Sequence, residues 1–226
     1  MISDATYARV AKLSAAMNLR FAKLARLYTA NAPSLIVVAA LALIVGAMVL
    51  RVAFDSDLAP PPTVGSLLNP KFSLIDQNGK TFTNASFEGK PRILTFGYTS
   101  CPDICPTTLS ALTENITELG KDAGKLDWIF ITVDPKHDRP ARLKNYLAAY
   151  SPRVIGLTGS PGAVFAALDK YRVFHASRPQ PDGTYSIDHT STVFLISADG
   201  RLKDTIKESE LGTRAALAKI KRLLSS

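Results

Sequence analysis

The chain contains two cysteines, Cys101 and Cys105, both in the stretch Phe96-Gly97-Tyr98-Thr99-Ser100-Cys101-Pro102-Asp103-Ile104-Cys105-Pro106. Each is followed by proline, which disfavours helical backbone in the residue before it. Both thiols are therefore expected outside a helix interior, with Pro106 as the first helical residue and Cys105 at the N-cap. A thiol at that place meets the positive end of the helix dipole and N–H groups without partners, which lower its pKa and favour the thiolate. Three chemistries suit such a pair: a structural disulfide, a redox-active dithiol, or a soft-metal site. A disulfide closing so short a loop stabilises a fold only modestly, and the other two stay level until a third ligand is found.

Such a site needs a scaffold in which a strand hands over to a helix at the cysteines. The chain supplies it. A hairpin is expected where Phe72-Ser73-Leu74-Ile75 and Thr81-Phe82-Thr83 flank Asp76-Gln77-Asn78-Gly79-Lys80, because Asn-Gly is a strong two-residue turn signal. Apolar runs predict buried strands at residues 92–98 and 128–133, and a short one at 154–157. Helical spacing predicts helices at 107–123, 139–150, 161–170 and 213–224. Residues 171–176 read as extended, 184–188 and 192–196 as strands, and 202–207 pairs back across Ala198-Asp199-Gly200. Strands alternating with helices, then a hairpin and a last helix, make an α/β chain with a mixed sheet flanked by helices. With the cysteines between a strand and its helix, this arrangement resembles a thioredoxin-like fold.

Three histidines are candidates for a third ligand. His137, in Val133-Asp134-Pro135-Lys136-His137-Asp138, reads as a solvated loop residue, and His175, in Val173-Phe174-His175-Ala176, as a partly buried side chain with its hydrogen bonds satisfied. His189 lies in Ile187-Asp188-His189-Thr190-Ser191, just before the strand at 192–196. In a thioredoxin-like sheet the start of that strand faces the cysteine loop, where ordinary thioredoxins place a cis-proline. No proline follows Pro181 here. An imidazole at that place makes a Cys2His site conceivable, with ligand and bystander evenly matched on the residues alone. Asp188 is a candidate acceptor for the other ring nitrogen of His189, set against a solvated turn residue.

The full set Thr95-Phe96-Gly97-Tyr98-Thr99, Cys101-Pro102-Asp103-Ile104-Cys105-Pro106, Val133-Asp134-Pro135, Gly156-Leu157-Thr158-Gly159 and Asp188-His189-Thr190, in this order, resembles the SCO/SenC family of membrane-anchored copper chaperones that serve cytochrome c oxidase assembly. The resemblance runs from about residue 70 to the C-terminus. It implies copper bound by Cys101, Cys105 and His189, as Cu(I) or Cu(II). Two thiolates and one imidazole suit soft Cu(I), and the imidazole helps tolerate Cu(II). It also implies as partners the copper-bearing oxidase subunit, a thioredoxin-like thiol reductant and a further copper donor. Asn69-Pro70 stands where the family usually has Gly-Gly, and Lys136-His137 where Glu-Arg is common. Both departures bear on a docking surface rather than on the metal. The competing function is a thiol-disulfide oxidoreductase that reduces the subunit's cysteines. Zinc is a weaker alternative metal. Peroxidase chemistry is disfavoured, since no arginine accompanies the cysteines as in peroxide-reducing relatives of this fold.

Composition fits a membrane-tethered protein. Leu35 to Leu50 carries no charge, and residues 34–54 are long enough to cross a bilayer as a helix, with Arg51 placed to snorkel. Residues 1–33 carry Arg9, Lys12, Arg20, Lys23 and Arg26 against Asp4, so the positive-inside rule puts the N-terminus in the cytoplasm. A cleaved signal peptide fits less well, because the segment before the apolar run is too long for an n-region. Residues 55–69, with Pro60-Pro61-Pro62, read as a stiff spacer, and 70–226 as the copper-binding domain. The expected location is the bacterial inner membrane with the domain in the periplasm, the alternative being the mitochondrial inner membrane facing the intermembrane space. Much of the formal charge of +8 sits in the leader; the scattered remainder argues against nucleic-acid binding.

Overall fold

The computed structural model describes residues 37–51, 61–87 and 89–225. Residues 37–51 form an exposed helix, α1. No helix among the described residues is long and apolar enough to cross a membrane; the flanks of the expected 34–54 span, the basic leader 1–33 and residues 55–60 of the spacer lie outside them. The chain divides into two compact units at residue 58.

In the second unit, β1 (Ser73–Asp76) and β2 (Thr81–Thr83) form the expected hairpin, in register Leu74 to Phe82. They are followed by β3 (Arg92–Gly97), α2 (Ile104–Leu119), β4 (Asp127–Thr132), α3 (Pro140–Leu147), β5 (Val154–Thr158), α4 (Pro161–Lys170), β6 (His175–Pro179), β7 (Tyr185–His189), β8 (Val193–Ile196), β9 (Leu202–Ile206) and α5 (Arg214–Leu224). Seven strands make one sheet in the order β2-β1-β5-β4-β3-β8-β9. The β3–β4 and β4–β5 pairs are parallel and the others antiparallel, a mixed sheet as expected.

Central β3 and β4 are apolar on both faces because helices cover both. Alternation sorts their side chains. Ile93, Trp128 and Phe130 pack with Leu109 and Ile116 of α2, Leu143 of α3 and Ile220 of α5. Leu94, Phe96, Ile129 and Ile131 pack on the other face with Val164 and Leu168 of α4. Removing each large side chain from water contributes about 1.5–3 kcal/mol, and no disulfide is needed to hold the layers.

One pairing departs from expectation. The strand read at 184–188 is β7, which lies outside the main sheet; it pairs with β6, starting at His175, as a separate two-stranded ribbon, His175 opposite His189. The ribbon is half-exposed or exposed throughout, so it lacks the apolar face that announces a sheet strand in sequence.

The incoming chain is fastened at the turn between β8 and β9, beside the start of β3. Gly65 N–H donates to Leu202 O (2.7 Å), Leu68 N–H to Gly200 O (2.7 Å), and Leu202 N–H to Ser66 O (2.9 Å). Arg92, at the first position of β3, is 2% exposed. Its guanidinium donates to Leu68 O (3.3 Å) and Asn69 Oδ1 (3.2 Å) and lies over the Phe87 ring, 4.1 Å from its centroid. Burial lowers its pKa from the usual arginine value.

Candidate metal centre

The last residue of β3, Gly97, makes the first demand on the site. A Cβ there would lie 2.7 Å from Cys105 Sγ and 2.9 Å from the Phe130 ring. Only glycine lets strand, sulfur and aromatic core meet.

The chain then runs through Tyr98, Thr99 and Ser100 to Cys101 and enters α2 at Ile104. The helix starts two residues before the expected Pro106. Cys105 is thus in the first turn rather than at the N-cap, which is Asp103, and Asp103 offers no side-chain cap. The sulfur of Cys101 fills that role, accepting the Cys105 N–H at 3.4 Å. Pro106 is tolerated because the first turn of a helix has no intrahelical acceptor for its N–H groups. The hydrogen bond to sulfur and the burial of Cys105 outweigh the pre-proline preference for extended backbone.

His189, the last residue of β7, points its Nε2 at Cys105 Sγ, 3.6 Å away. One ligand atom each from Cys101, Cys105 and His189 lie within 4.8 Å of one another. The His189 Nδ1 faces Thr190 O at 3.0 Å. Donation there puts the proton on Nδ1 and leaves the Nε2 lone pair aimed at the sulfurs. Tyr98 stands edge-on to the imidazole, centroids 6.0 Å apart, and its hydroxyl accepts the Ile187 N–H at 3.2 Å, tying β7 to the cysteine loop.

The thiols are electronically unequal. A hydrogen bond from the Cys105 thiol lowers the Cys101 pKa to about 4, against a smaller opposing effect of burial. The same bond, with burial, raises Cys105 far above the usual thiol value. The depressed thiol is therefore Cys101 rather than the helix-terminal Cys105 expected from the dipole. A charge-assisted hydrogen bond outweighs a partial charge spread over a helix end.

Asp188 does not serve His189. Successive side chains of a strand point to opposite faces, and Asp188 instead pairs with Arg178 across the ribbon. The backbone carbonyl of Thr190 takes the place foreseen for its carboxylate. His137 is also more than a solvated residue. Its Nδ1 lies 3.0 Å from both oxygens of Asp134, and its ring stacks on Tyr185 (5.2 Å, 29°), whose hydroxyl donates to Asp134. His175, half-buried as expected, stacks on Phe165 at 4.9 Å. Neither joins the cysteines. Asp103 is exposed, as expected.

Sequence reasoning missed Asp138, which lies beneath the loop at 0% exposure. It accepts the Thr99 N–H (3.0 Å), the Thr99 hydroxyl (2.5 Å) and the Thr132 hydroxyl (2.7 Å). Arg142 reaches over from α3 to Thr99 Oγ1 (2.7 Å) and Ser100 Oγ (2.8 Å). The available signal was a threonine at the end of an apolar strand, a polar group that needs a buried partner.

The site opens into a cleft of about 390 Å³ bordered by Tyr98, Pro102, Asp103, Ile104, Ser191 and Glu208. Two thiolates and an imidazole suit a soft metal ion, and the open side leaves room for an incoming ligand.

The family profile described as SCO1/SenC matches residues 61–225 of the chain. The SCO2-like protein of Rickettsia felis is 43% identical over 132 residues, 58% of this chain and 64% of that protein, so the chain spans less than two thirds of that relative's length. Protein SCO2, mitochondrial, of Saccharomyces cerevisiae is 41% identical over 142 residues, 62% of this chain and 47% of that protein. Among solved structures, Bradyrhizobium japonicum ScoI with copper bound is 42% identical with a TM-score of 0.64, covering 69% of this chain and 99% of that one. Yeast Sco1 with copper bound is 35% identical with a TM-score of 0.65, covering 71% of this chain and 90% of that one.

Proposed function

Since the chain belongs to the SCO1/SenC family, we propose that it is a copper-binding protein of cytochrome c oxidase assembly. It takes copper as cargo on Cys101, Cys105 and His189 and hands it to the dinuclear copper centre of the oxidase subunit. The observation that carries this reading is the convergence of the two sulfurs and the imidazole within 4.8 Å. Cys101 supplies a thiolate at neutral pH, His189 a lone pair fixed by its bond to Thr190, and Cys105 a second thiolate once the metal displaces its proton. Three ligands hold the ion while leaving it open to a fourth from the recipient, which is what transfer requires.

The test is copper titration of the reduced full-length chain. Cys101→Ser, Cys105→Ser and His189→Ala should each weaken binding at least about tenfold, as expected for a lost first ligand. Unchanged affinity in His189→Ala would overturn the three-ligand reading.

The unequal thiols favour a second reading, thiol-disulfide exchange. The Cys101 thiolate attacks a disulfide of the subunit, one recipient sulfur leaves as thiolate, and Cys105, losing its proton, attacks Cys101 of the mixed disulfide. The recipient is reduced by two electrons, and Cys101–Cys105 is left oxidised for a thioredoxin-like reductant to restore. Here His189→Ala retains exchange, whereas Cys105→Ser stops at the mixed disulfide; oxidase assembly in cells carrying each variant, with and without added copper, separates the two roles.

The same reading makes residues 34–54 a single membrane anchor with 1–33 on the inner side; the spacer expected at 55–69 shortens, since 65–69 are fastened to the domain, which lies on the outer side of a bacterial inner membrane or in the mitochondrial intermembrane space. Protease digestion of intact spheroplasts should remove the domain and spare the leader.

A further inference from the structure

The stretch Gly156-Leu157-Thr158-Gly159-Ser160-Pro161 takes no part in the metal centre. It carries the chain from β5 into α4, and beside it lies a cleft of about 480 Å³ walled by Lys136, Arg139, Thr158, Gly159 and Ser160. No carboxylate is among its walls.

Three independent features there favour an anion. First, α4 is 10 residues long, and the N–H groups of its first turn lie at the positive end of its dipole without intrahelical acceptors. Ser160 caps one of them, that of Ala163, at 3.3 Å. Pro161 has no N–H to offer. Gly162 has one, and the space about it is open, since a Cβ there would meet nothing within 4 Å.

Second, Thr158 lines the cleft at 1% exposure, and its hydroxyl is buried with no hydrogen-bond partner. A buried hydroxyl left unpaired is costly, and a bound acceptor would remove that cost. Third, Lys136 and Arg139 are both exposed, and neither forms an ion pair among the described residues. Two cations and a hydroxyl beside a helix N-terminus, around a cavity with no acid among its walls, make a setting for a tetrahedral oxyanion.

We propose that this cleft binds a phosphate group, held by Lys136, Arg139 and the Thr158 hydroxyl beside the N-terminus of α4. A soluble phosphomonoester and a phospholipid headgroup share that chemistry. The site is separate from the cysteines, and its occupancy does not rest on the copper reading.

The full-length chain in a neutral detergent is titrated calorimetrically with inorganic phosphate and, separately, with dibutyryl phosphatidylglycerol. One or both should bind saturably at one site. Phosphate alone assigns a soluble phosphomonoester, the short-chain lipid alone a headgroup, and both the phosphate group without preference. The double variant Lys136→Ala/Arg139→Ala should bind at least about tenfold more weakly. Thr158→Val should also bind more weakly while unfolding at or above the parent's temperature, because valine replaces a hydroxyl that has no partner. Absence of saturable binding to either probe, or binding that survives the double variant, overturns the proposal.

Discussion

At Gly97 a single hydrogen atom decides whether the Cys105 sulfur has a seat. Gly97→Ala sets a methyl 2.7 Å from that sulfur and 2.9 Å from Phe130. Overpacking of this kind costs about 1–3 kcal/mol, so urea denaturation should show that loss and copper titration a weakened site. The thiol pair makes its own prediction in the reduced, metal-free chain. Cys101 ionises at about 4 because Cys105 donates to it. Thiolate absorbance should therefore persist as pH falls from neutral and fade only near that value, where a cysteine in the unfolded chain is already protonated. Cys105→Ala removes the donor, and the midpoint should rise toward the ordinary thiol range. Much of this site was legible in sequence, because cysteine and histidine are rare types set in specific company. The roles of Asp188 and of the two thiols were not, since they depend on which face of a strand a side chain takes and on one contact between sulfurs.

The elements that hold the cysteines were legible as strands and helices, but not as partners. Asp138 sits in a loop rich in charge that offers no sign of burial, yet it is sealed beneath Thr99, 39 positions earlier in the chain. Only the packed fold brings them together. Asp138→Asn puts an amide where two hydroxyls and an N–H donate, and lost hydrogen bonds to a charged group cost about 1.5–3 kcal/mol each. The expected loss is about 3 kcal/mol in denaturant unfolding, with copper affinity falling as the Thr99–Cys101 segment loosens. Of the β6–β7 ribbon the strand at 184–188 was legible, but its partner β6 at His175–Pro179 was not, because a strand largely exposed on both faces lacks the alternation that reveals a buried one. His189 therefore comes from an element outside the main sheet, while both sulfurs are built onto it.

Across the second unit, residues 59–226, helices on both faces of the sheet bury two apolar layers, and the same unit contains the three candidate ligands. Expressed alone, residues 59–226 should unfold in one cooperative transition by circular dichroism and bind copper as the full chain does. Non-coincident transitions, or loss of copper binding, would show that the leader contributes to the fold. Arg92 has a further consequence. It occupies the first position of β3 and grips Leu68 and Asn69, while Gly97 occupies the last and seats Cys105. Five residue steps of strand separate the two by about 17 Å. The segment entering the domain is fastened at the foot of this strand and the sulfurs sit at its tip, so a load applied through residues 65–69 falls on the foot and spares the thiols.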